Sequence, residues 1–419
     1  MLLQFRFENF KTFRDDTILD MTATRISEFS DHVISVANER VLPVAAVFGA
    51  NAHGKSNVFA AFRYMRKYVA ESFYFGGDND NETTKKRFMK PTPFLFDENS
   101  RNAESMFEVY FMAIDGKRLK TYNYGFTVNG NGINEEWLNY KTKTGREFKR
   151  IFYRNALDGE LDLSGLPIKI QENIVTSLQK ETLVVSLGAK LNMQELKLIH
   201  NWFCDQRIVD FGQPYENLAL SRSMPRGFAT DKRIQAQVVK YLSAFDDSIV
   251  GFDIEVVKTE DDEERYRIFA LHKIANSDEL TKLSLNQESS GTQKMFALFS
   301  PLQDVLKTGS VFFVDELNAR LHPLLVRAFL LLFLNPETNP NHAQLIFTSH
   351  DVWQLSENGL RRDEIWFTEK NSDGVSTLYS LSDFVDEDGA KIRKDENYTK
   401  NYLLGKYGAI PSMRAFDVQ

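Results

Sequence analysis

Eight residues constrain this chain more than any other stretch: Gly49-Ala-Asn51-Ala-His53-Gly54-Lys55-Ser56. They fit the pattern G-x-x-x-x-G-K-[ST], which carries a physical meaning only between a strand and a helix. Both flanks are legible. Leu42 to Phe48 is a short apolar run of strand type, and Asn57 to Val69 places Phe59, Phe62, Met65 and Tyr68 at helical spacing. Glycines at both ends of such a loop let backbone N–H groups wrap phosphate oxygens that bulkier side chains would exclude. The helix that follows adds the partial positive charge of its N-terminus. Lys55 is then expected to reach the β- and γ-phosphates of a nucleoside triphosphate, and the Ser56 hydroxyl to ligate Mg²⁺. Gly49, Asn51, Gly54, Lys55, Ser56 and Asn57 are the candidate nucleotide-binding residues of the loop.

A phosphate loop works together with carboxylates on a separate strand. Val311-Phe-Phe-Val314-Asp315-Glu316 supplies two, at the C-terminal end of four apolar residues, where ligands of parallel sheets bind. Asp315 is the candidate holder of the Mg²⁺ water shell. Glu316 is the candidate catalytic carboxylate that orients or deprotonates an attacking water. A third apolar run, Leu345-Ile-Phe-Thr348-Ser349-His350, ends in a histidine placed to donate to a γ-phosphate and register its loss. Glu288-Ser289-Ser290-Gly291-Thr292 opens a further helix, as an N-cap and as a second anion-binding surface. One phosphate chain cannot easily use two distant helix starts of one protomer. Two protomers facing head to tail can, with Ser289 and Gly291 of each offered to the nucleotide of the other.

The rest of the chain sorts around these motifs. Leu3, Phe5 and Phe7 alternate with polar residues, as a half-buried strand does. Four short strands near 107–114, 119–128, 133–140 and 148–153 make an antiparallel meander, turning at Asp115-Gly116, Asn129-Gly130 and Thr144-Gly145. Residues 156–250 are mostly helical in pattern. A hairpin then pairs 252–257 with 265–271 across the acidic run Glu260-Asp261-Asp262-Glu263-Glu264. A helix over 291–307 is expected to bend or break at Pro301. Strand–helix alternation at both ends, around a different middle, predicts one α/β nucleotide-binding domain with a large insertion. The expected division is a first lobe over 1–155 with the phosphate loop and meander, and a mainly helical insertion with a hairpin over 156–280. A second lobe with the acids, the serine turn, the histidine and the tail follows over 281–419.

Composition narrows the partners. With 51 Lys+Arg against 58 Asp+Glu the net charge is −7, the wrong sign for a protein that coats nucleic acid. Local basic patches remain: Lys85, Lys86, Arg87 and Lys90 in a turn-rich loop entered at Gly76-Gly77, and Lys141, Lys143, Arg146, Lys149 and Arg150 on a hairpin. Arg361 and Arg362, just before a strand, are candidates for a phosphate or a subunit contact. The single cysteine, Cys204, excludes an intrachain disulfide framework and a multi-cysteine metal site. The opening residues lack a basic segment followed by an apolar core, and the longest apolar run, Ala328 to Leu334, is far short of the ~20 residues that span a bilayer. The expectation is a cytoplasmic protein without a membrane partner.

Taken in order, the phosphate loop, serine turn, Asp-Glu strand and strand-end histidine resemble the ABC-type ATPase heads of the SMC/RecF group. More closely, the chain resembles prokaryotic AAA-type ATP-binding proteins related to the abortive-infection AbiLi and RloA proteins. The resemblance covers nearly the whole length. It includes the opening Phe7-Glu-Asn-Phe10-Lys-Thr-Phe13, the loop through Asn57, the turn 288–292, Asp315-Glu316 with Leu321-His322-Pro323, and the tail Tyr402-Leu-Leu-Gly-Lys-Tyr-Gly-Ala-Ile-Pro411. It implies an α/β ABC-type head that uses ATP and Mg²⁺, with Lys55, Glu316 and His350 in catalysis, Ser56 and Asp315 at the metal, and Ser289 and Gly291 at a partner's γ-phosphate.

The resemblance further implies a molecular switch: ATP pairs the heads of a homo-oligomer, hydrolysis separates them, and the pairing controls a separate effector, often a nuclease, in anti-phage defence. The stretch after His350 is too short for the nuclease domain that some relatives fuse there, so the acids Asp386, Glu387 and Asp388 read as a solvated turn. Glu288 and Ser290 stand where a Leu-Ser-Gly-Gly signature has Leu and its first Gly, and Asn318 stands where many relatives carry an acid. Slow, regulated turnover follows from those departures. The alternative is a RecF-like ATPase that senses DNA structure or serves repair, touching nucleic acid through a local patch.

Overall fold

Three adjacent strands carry the candidate site, and they belong to a six-stranded sheet. Its order is Arg207–Asp210, Val311–Asp315, Gln344–Thr348, Val44–Phe48, Ile365–Lys370 and Ser376–Ser380. The first five run parallel and the last antiparallel. The computed structural model describes residues 1–75, 89–213, 215, 224–258, 264–355, 359–385, 391–394 and 396–411. Gly76, Gly77, Lys85, Lys86 and Arg87, the acidic residues Glu260 to Glu263, and Asp386, Glu387 and Asp388 lie outside the described residues.

Val44–Phe48, Val311–Asp315 and Gln344–Thr348 are buried at every position. A parallel strand covered on both faces has no polar side to show, which is why these segments read as unbroken apolar runs. The edge strand Arg207–Asp210 has no such run. It falls in the stretch whose pattern was mostly helical, and it pairs in register with the acid-bearing strand, Asp210 opposite Asp315.

A second, fully antiparallel sheet has seven strands in the order Glu160–Asp162, Lys149–Asn155, Gly132–Thr142, Arg118–Asn129, Ser105–Asp115, Leu2–Glu8 and Thr17–Asp20. It contains the expected meander, and the opening strand completes it by pairing with Ser105–Asp115. The helix Lys55–Glu71 lies between the two sheets. Phe62 stacks on Phe313 of the parallel sheet at 4.1 Å between ring centres and meets Phe5 of the antiparallel sheet at 5.2 Å. One aromatic side chain thus ties the phosphate-loop helix to both layers.

The other face of the parallel sheet is covered by Ser290–Thr308 and Pro323–Leu334. Ser290–Thr308 runs as one helix with Pro301 inside it, where a bend or break was expected. Within 156–280, helices Ile168–Ser177, Val184–Lys190, Gln194–Asp205 and Lys232–Leu242 precede a three-stranded sheet of Ile249–Lys258, Glu264–Lys273 and Leu280–Ser284. The third strand of that sheet adds to the hairpin read from sequence. The tail packs inward. Tyr402 and Tyr407 lie 5.3 Å and 5.8 Å from the Phe367 ring, and Tyr379 donates to the Tyr407 carbonyl at 2.6 Å.

Arg361 and Arg362 are consumed inside the fold. Arg361 is fully buried, holds the Asp363 carboxylate through two 2.9 Å bonds and donates to the Glu28 carbonyl at 2.6 Å. Arg362 bonds the Glu28 carboxylate at 2.5 Å and the carbonyl of Ile392. Both guanidiniums are taken up by acids and carbonyls of this chain, so the sequence expectation of a phosphate or subunit contact is corrected: acids within reach of a pre-strand arginine claimed both. Among the described residues no helix is long and apolar enough to cross a membrane.

Candidate nucleotide-binding site

The loop between Phe48 and Lys55 is built by its glycines. Gly49 has φ 152° and Gly54 has φ 106°. A Cβ on Gly49 would stand 2.5 Å from the Thr368 carbonyl oxygen, and one on Gly54 would stand 2.8 Å from Ser376 Oγ. Neither position admits another residue without displacement. Ala52 also takes a positive φ, 63°, so the loop turns tightly between them. Asn51 and Ser56 are exposed, and the Nδ1 atom of His53 is buried without a hydrogen-bond partner. Asn57 donates to Thr12 Oγ1 at 2.8 Å, which ties the loop to the Phe10–Phe13 turn of the N-terminal segment.

Lys55 is 6 % exposed, and its ammonium donates to the carbonyls of Gly49 at 2.8 Å and Ala50 at 3.1 Å. Burial lowers its pKa to about 8 against the favourable charges of Asp315 and Glu316. His350 is lowered too, first by burial and then by the Lys55 charge, while Glu316 and Asp315 oppose the shift. Lys55 and His350 thus both lie within reach of the charges of Asp315 and Glu316. They do so because the strand ending at His350 lies between the strand of the phosphate loop and the strand of the acids.

Asp315 and Glu316 are set differently. Asp315 is 2 % exposed and closes its strand; Glu316 has left the strand with φ 55°. A left-handed backbone at a non-glycine residue costs about 1–3 kcal/mol and persists only where neighbours impose it. Here Thr348 Oγ1 accepts the Glu316 N–H at 2.7 Å, Leu317 N–H donates to the Thr348 carbonyl at 3.1 Å, and Asn318 Oδ1 accepts the His350 N–H at 3.3 Å. Asn318 is thus used to fasten the histidine backbone.

Two further residues reach this region, and the sequence reading did not single them out. Asp210 ends the edge strand and Gln213 follows it. Gly212 N–H bonds Asp210 Oδ1 at 3.0 Å, and a Cβ on Gly212 would contact the Glu316 carboxyl at 3.4 Å. Gln213 lines the same cavity as Ser56 and Asn57, about 440 Å³, together with Lys11, Arg63 and Asp210. Nothing in the sequence marks Gln213, because the strand before it is four residues long and lies at the sheet edge. Lys294, on the helix after the serine turn, donates to the carbonyls of Glu316, Leu317 and Ala319. Burial lowers its pKa to about 7.

The serine turn stands apart from the phosphate loop. Ser289 caps the helix Ser290–Thr308, with its Oγ accepting the Thr292 N–H at 3.1 Å. Ser289 and Ser290 remain exposed, and Gly291 lines a different cavity, about 140 Å³, beside Leu242, Phe245 and Leu325. Glu288 is held by His272 of the neighbouring sheet at 2.7 Å. The structure thus brings Lys55, Asp315, Glu316 and His350 together and leaves Ser289 and Gly291 on another surface of the same chain. His322 caps the helix Pro323–Leu334 through a 3.2 Å bond from Leu324 N–H, away from any catalytic contact.

The residues fit a nucleotide with Mg²⁺. Gly49 and Gly54 hold the loop in a positive-φ conformation packed against Thr368 and Ser376, and the helix Lys55–Glu71 starts directly at its end, where backbone N–H groups suit a phosphate. Ser56 and Asp315 are hard oxygen donors, and Mg²⁺ typically takes only one or two protein oxygens, with phosphates and waters as its other ligands.

A model of the family described as "AAA domain, putative AbiEii toxin, Type IV TA system" matches residues 44–352. That span begins at the first residue of the phosphate-loop strand and ends just after His350. Comparison with curated proteins found no match.

Proposed function

The chain belongs to this family of AAA domains, and from that premise we propose that it is an Mg²⁺-dependent ATPase switch whose heads pair on ATP. AAA-type domains imply ATPase activity; the switch is our reading. The observation that supports it most is that the phosphate loop, the acids Asp315 and Glu316, and His350 follow the C-terminal ends of three adjacent parallel strands. In this reading the loop Gly49–Ser56 and Asn57 hold the triphosphate, and Ser56 and Asp315 hold Mg²⁺. Bound Mg²⁺ supplies charge neutralisation on the phosphates. Glu316 takes the proton of the attacking water, Lys55 offsets charge on the transferred group, and His350 reports its departure.

The two-lobed arrangement, with 1–155 and 281–419 around the insertion 156–280, belongs to the same proposal, as does the likeness to SMC/RecF-type heads and to AbiLi and RloA. Exposed Ser289 and Ser290 at the start of a 19-residue helix support pairing, since an N-terminal turn free of bulky side chains suits a second copy's phosphate. The family description names a putative AbiEii toxin of a Type IV toxin–antitoxin system, which supports a place in phage defence; control of a separate effector such as a nuclease is part of our reading alone.

Light scattering tests the pairing. The Glu316→Gln chain with Mg²⁺-ATP is expected to double its mass, and Ser289→Arg in that background to abolish the doubling. A mass indifferent to ATP would contradict the pairing. A pull-down with the trapped chain would then identify the effector. RecF-like action on DNA is the second reading, favoured by Lys143, Arg146, Lys149 and Arg150, all exposed on one hairpin end of the antiparallel sheet. It requires DNA binding that strengthens with ATP and weakens steeply with salt.

A further inference from the structure

Lys294 lies in the first turns of the helix Ser290–Thr308 and is 5 % exposed. Its ammonium donates to Leu317 O at 2.7 Å, Ala319 O at 2.8 Å and Glu316 O at 3.2 Å. It also stands 3.7 Å from the centre of the Phe211 ring. A buried ammonium is costly unless each of its three donors is satisfied. Met295, Phe296 and Leu298 fill neighbouring positions of the helix, so core packing alone would be served by another apolar residue.

What distinguishes this lysine is the set of groups it touches. Residues 316 to 320 form the turn that leaves the acid-bearing strand, and that turn holds two left-handed residues, Glu316 at φ 55° and Arg320 at φ 62°. Phe211 leads from the edge strand to Gly212 and Gln213, and its N–H donates to Asp315 O at 3.1 Å. The helix start approaches the same turn at a second point, where a Cβ on Gly291 would stand 3.2 Å from Arg320 O. Serine turn, catalytic acid and Gln213 segment therefore converge on one cation.

We propose that Lys294 is a positioning residue for turnover, fastening the Glu316 turn to the serine turn Ser289–Thr292 so that a phosphate engaged by one is felt by the other. The proposal rests on the ATPase reading above. It gives a physical route by which a second copy's nucleotide, held at Ser289 and Gly291, sets the placement of this chain's own Glu316. The carrier is a single rigid contact set of three carbonyls and a ring, between elements that are otherwise distant in sequence.

The test compares Lys294→Met, Lys294→Arg and the wild-type full chain in kcat, KM for ATP, ATP affinity and melting temperature. Lys294→Met keeps the length of the side chain and removes the donors. It is expected to lose roughly 10- to 100-fold in kcat, as a small misplacement of a catalytic group does. ATP affinity should stay within about threefold, because uniform binding is untouched, and the melting temperature should fall by only a few degrees, since the lost hydrogen bonds are partly offset by removing a buried ammonium. Lys294→Arg should recover most of kcat. Lys294→Gln, with a neutral donor, should fall between them and serves if Lys294→Met does not fold. Wild-type turnover that both Lys294→Met and Lys294→Gln retain would overturn the proposal alone, as would a kcat loss that only tracks loss of folded protein. A wild-type chain without turnover would overturn the ATPase reading, and the proposal with it.

Discussion

Thr348 holds Asp315 by donating its hydroxyl to Oδ1 of the buried carboxylate, and Thr348 Oγ1 in turn accepts the Glu316 N–H at 2.7 Å. Donor and acceptor roles of one side chain are thus both spent on the two acids. This is possible because the strand Gln344–Thr348 lies between the acids and the phosphate loop. Thr348→Val keeps the shape and removes both bonds. We expect a stability loss of about 1–3 kcal/mol, the cost of leaving a buried polar group unpaired. Steady-state assays should also show kcat down about tenfold or more and a higher Mg²⁺ requirement.

Gly49 offers a test of the loop itself. Gly49→Ala forces a Cβ to within 2.5 Å of both the Thr368 carbonyl oxygen and its Oγ1, at φ 152°. Overpacking against backbone of this kind costs about 1–3 kcal/mol, and the strained φ adds to it. Gly116→Ala is the control: its φ is 62° but nothing lies within 4 Å, so only the conformational cost of about 1–2 kcal/mol applies. Denaturant titrations should rank Gly49→Ala well below Gly116→Ala in stability, and only the former should weaken ATP binding.

Arg361 is a structural residue. Its bidentate pair with Asp363 is buried, and Asp363 Oδ2 also accepts from Thr24 N–H at 2.8 Å and Thr24 Oγ1 at 2.7 Å. Arg361→Met leaves that carboxylate buried without its cation and should cost about 3–5 kcal/mol in thermal or chemical denaturation. ATP turnover per folded molecule should not change.

Glu136 predicts a pH dependence of stability. It is fully buried and accepts from Val184 N–H at 2.7 Å, Val185 N–H at 3.2 Å and the Tyr124 hydroxyl at 3.0 Å. Desolvation raises its pKa from 4.5 to about 7, against those hydrogen bonds and the Arg154 charge. Between those two values the folded chain therefore binds the proton and the unfolded chain does not, so this group makes stability fall as pH rises through that window. Melting curves from pH 5 to 8 should show the fall, and Glu136→Gln should flatten it. A wild-type profile that rises steadily over this range, unaltered by Glu136→Gln, would contradict the assignment.

The parts of the fold that sequence made legible are those whose signal is local. Val44–Phe48, Val311–Asp315 and Gln344–Thr348 announce themselves because both faces are covered, and the residues at their ends stand where the pattern stops. The meander was legible from its turns. Arg207–Asp210 was not, since four residues at a sheet edge carry no periodicity and their partner strand lies about a hundred positions away. Thr348, Gln213 and Lys294 were missed for the same reason: each acts on a group from a remote segment. A signal for Lys294 did exist, as a lone cation among the core-facing residues Met295 to Phe299. Arg361 and Arg362 show the converse error, where an arginine pair near a strand suggested a ligand and the fold supplied Asp363 and Glu28 instead.

The central claim is that this chain hydrolyses ATP with Glu316 as the group that accepts the water's proton. Phosphate release from Mg²⁺-ATP, measured beside ATP affinity for the wild type and Glu316→Gln, tests it most directly. The account predicts slow but measurable wild-type turnover, a fall of at least about a hundredfold in Glu316→Gln, and ATP affinity unchanged or tighter. Equal turnover in the two chains, or none in the wild type, would contradict it.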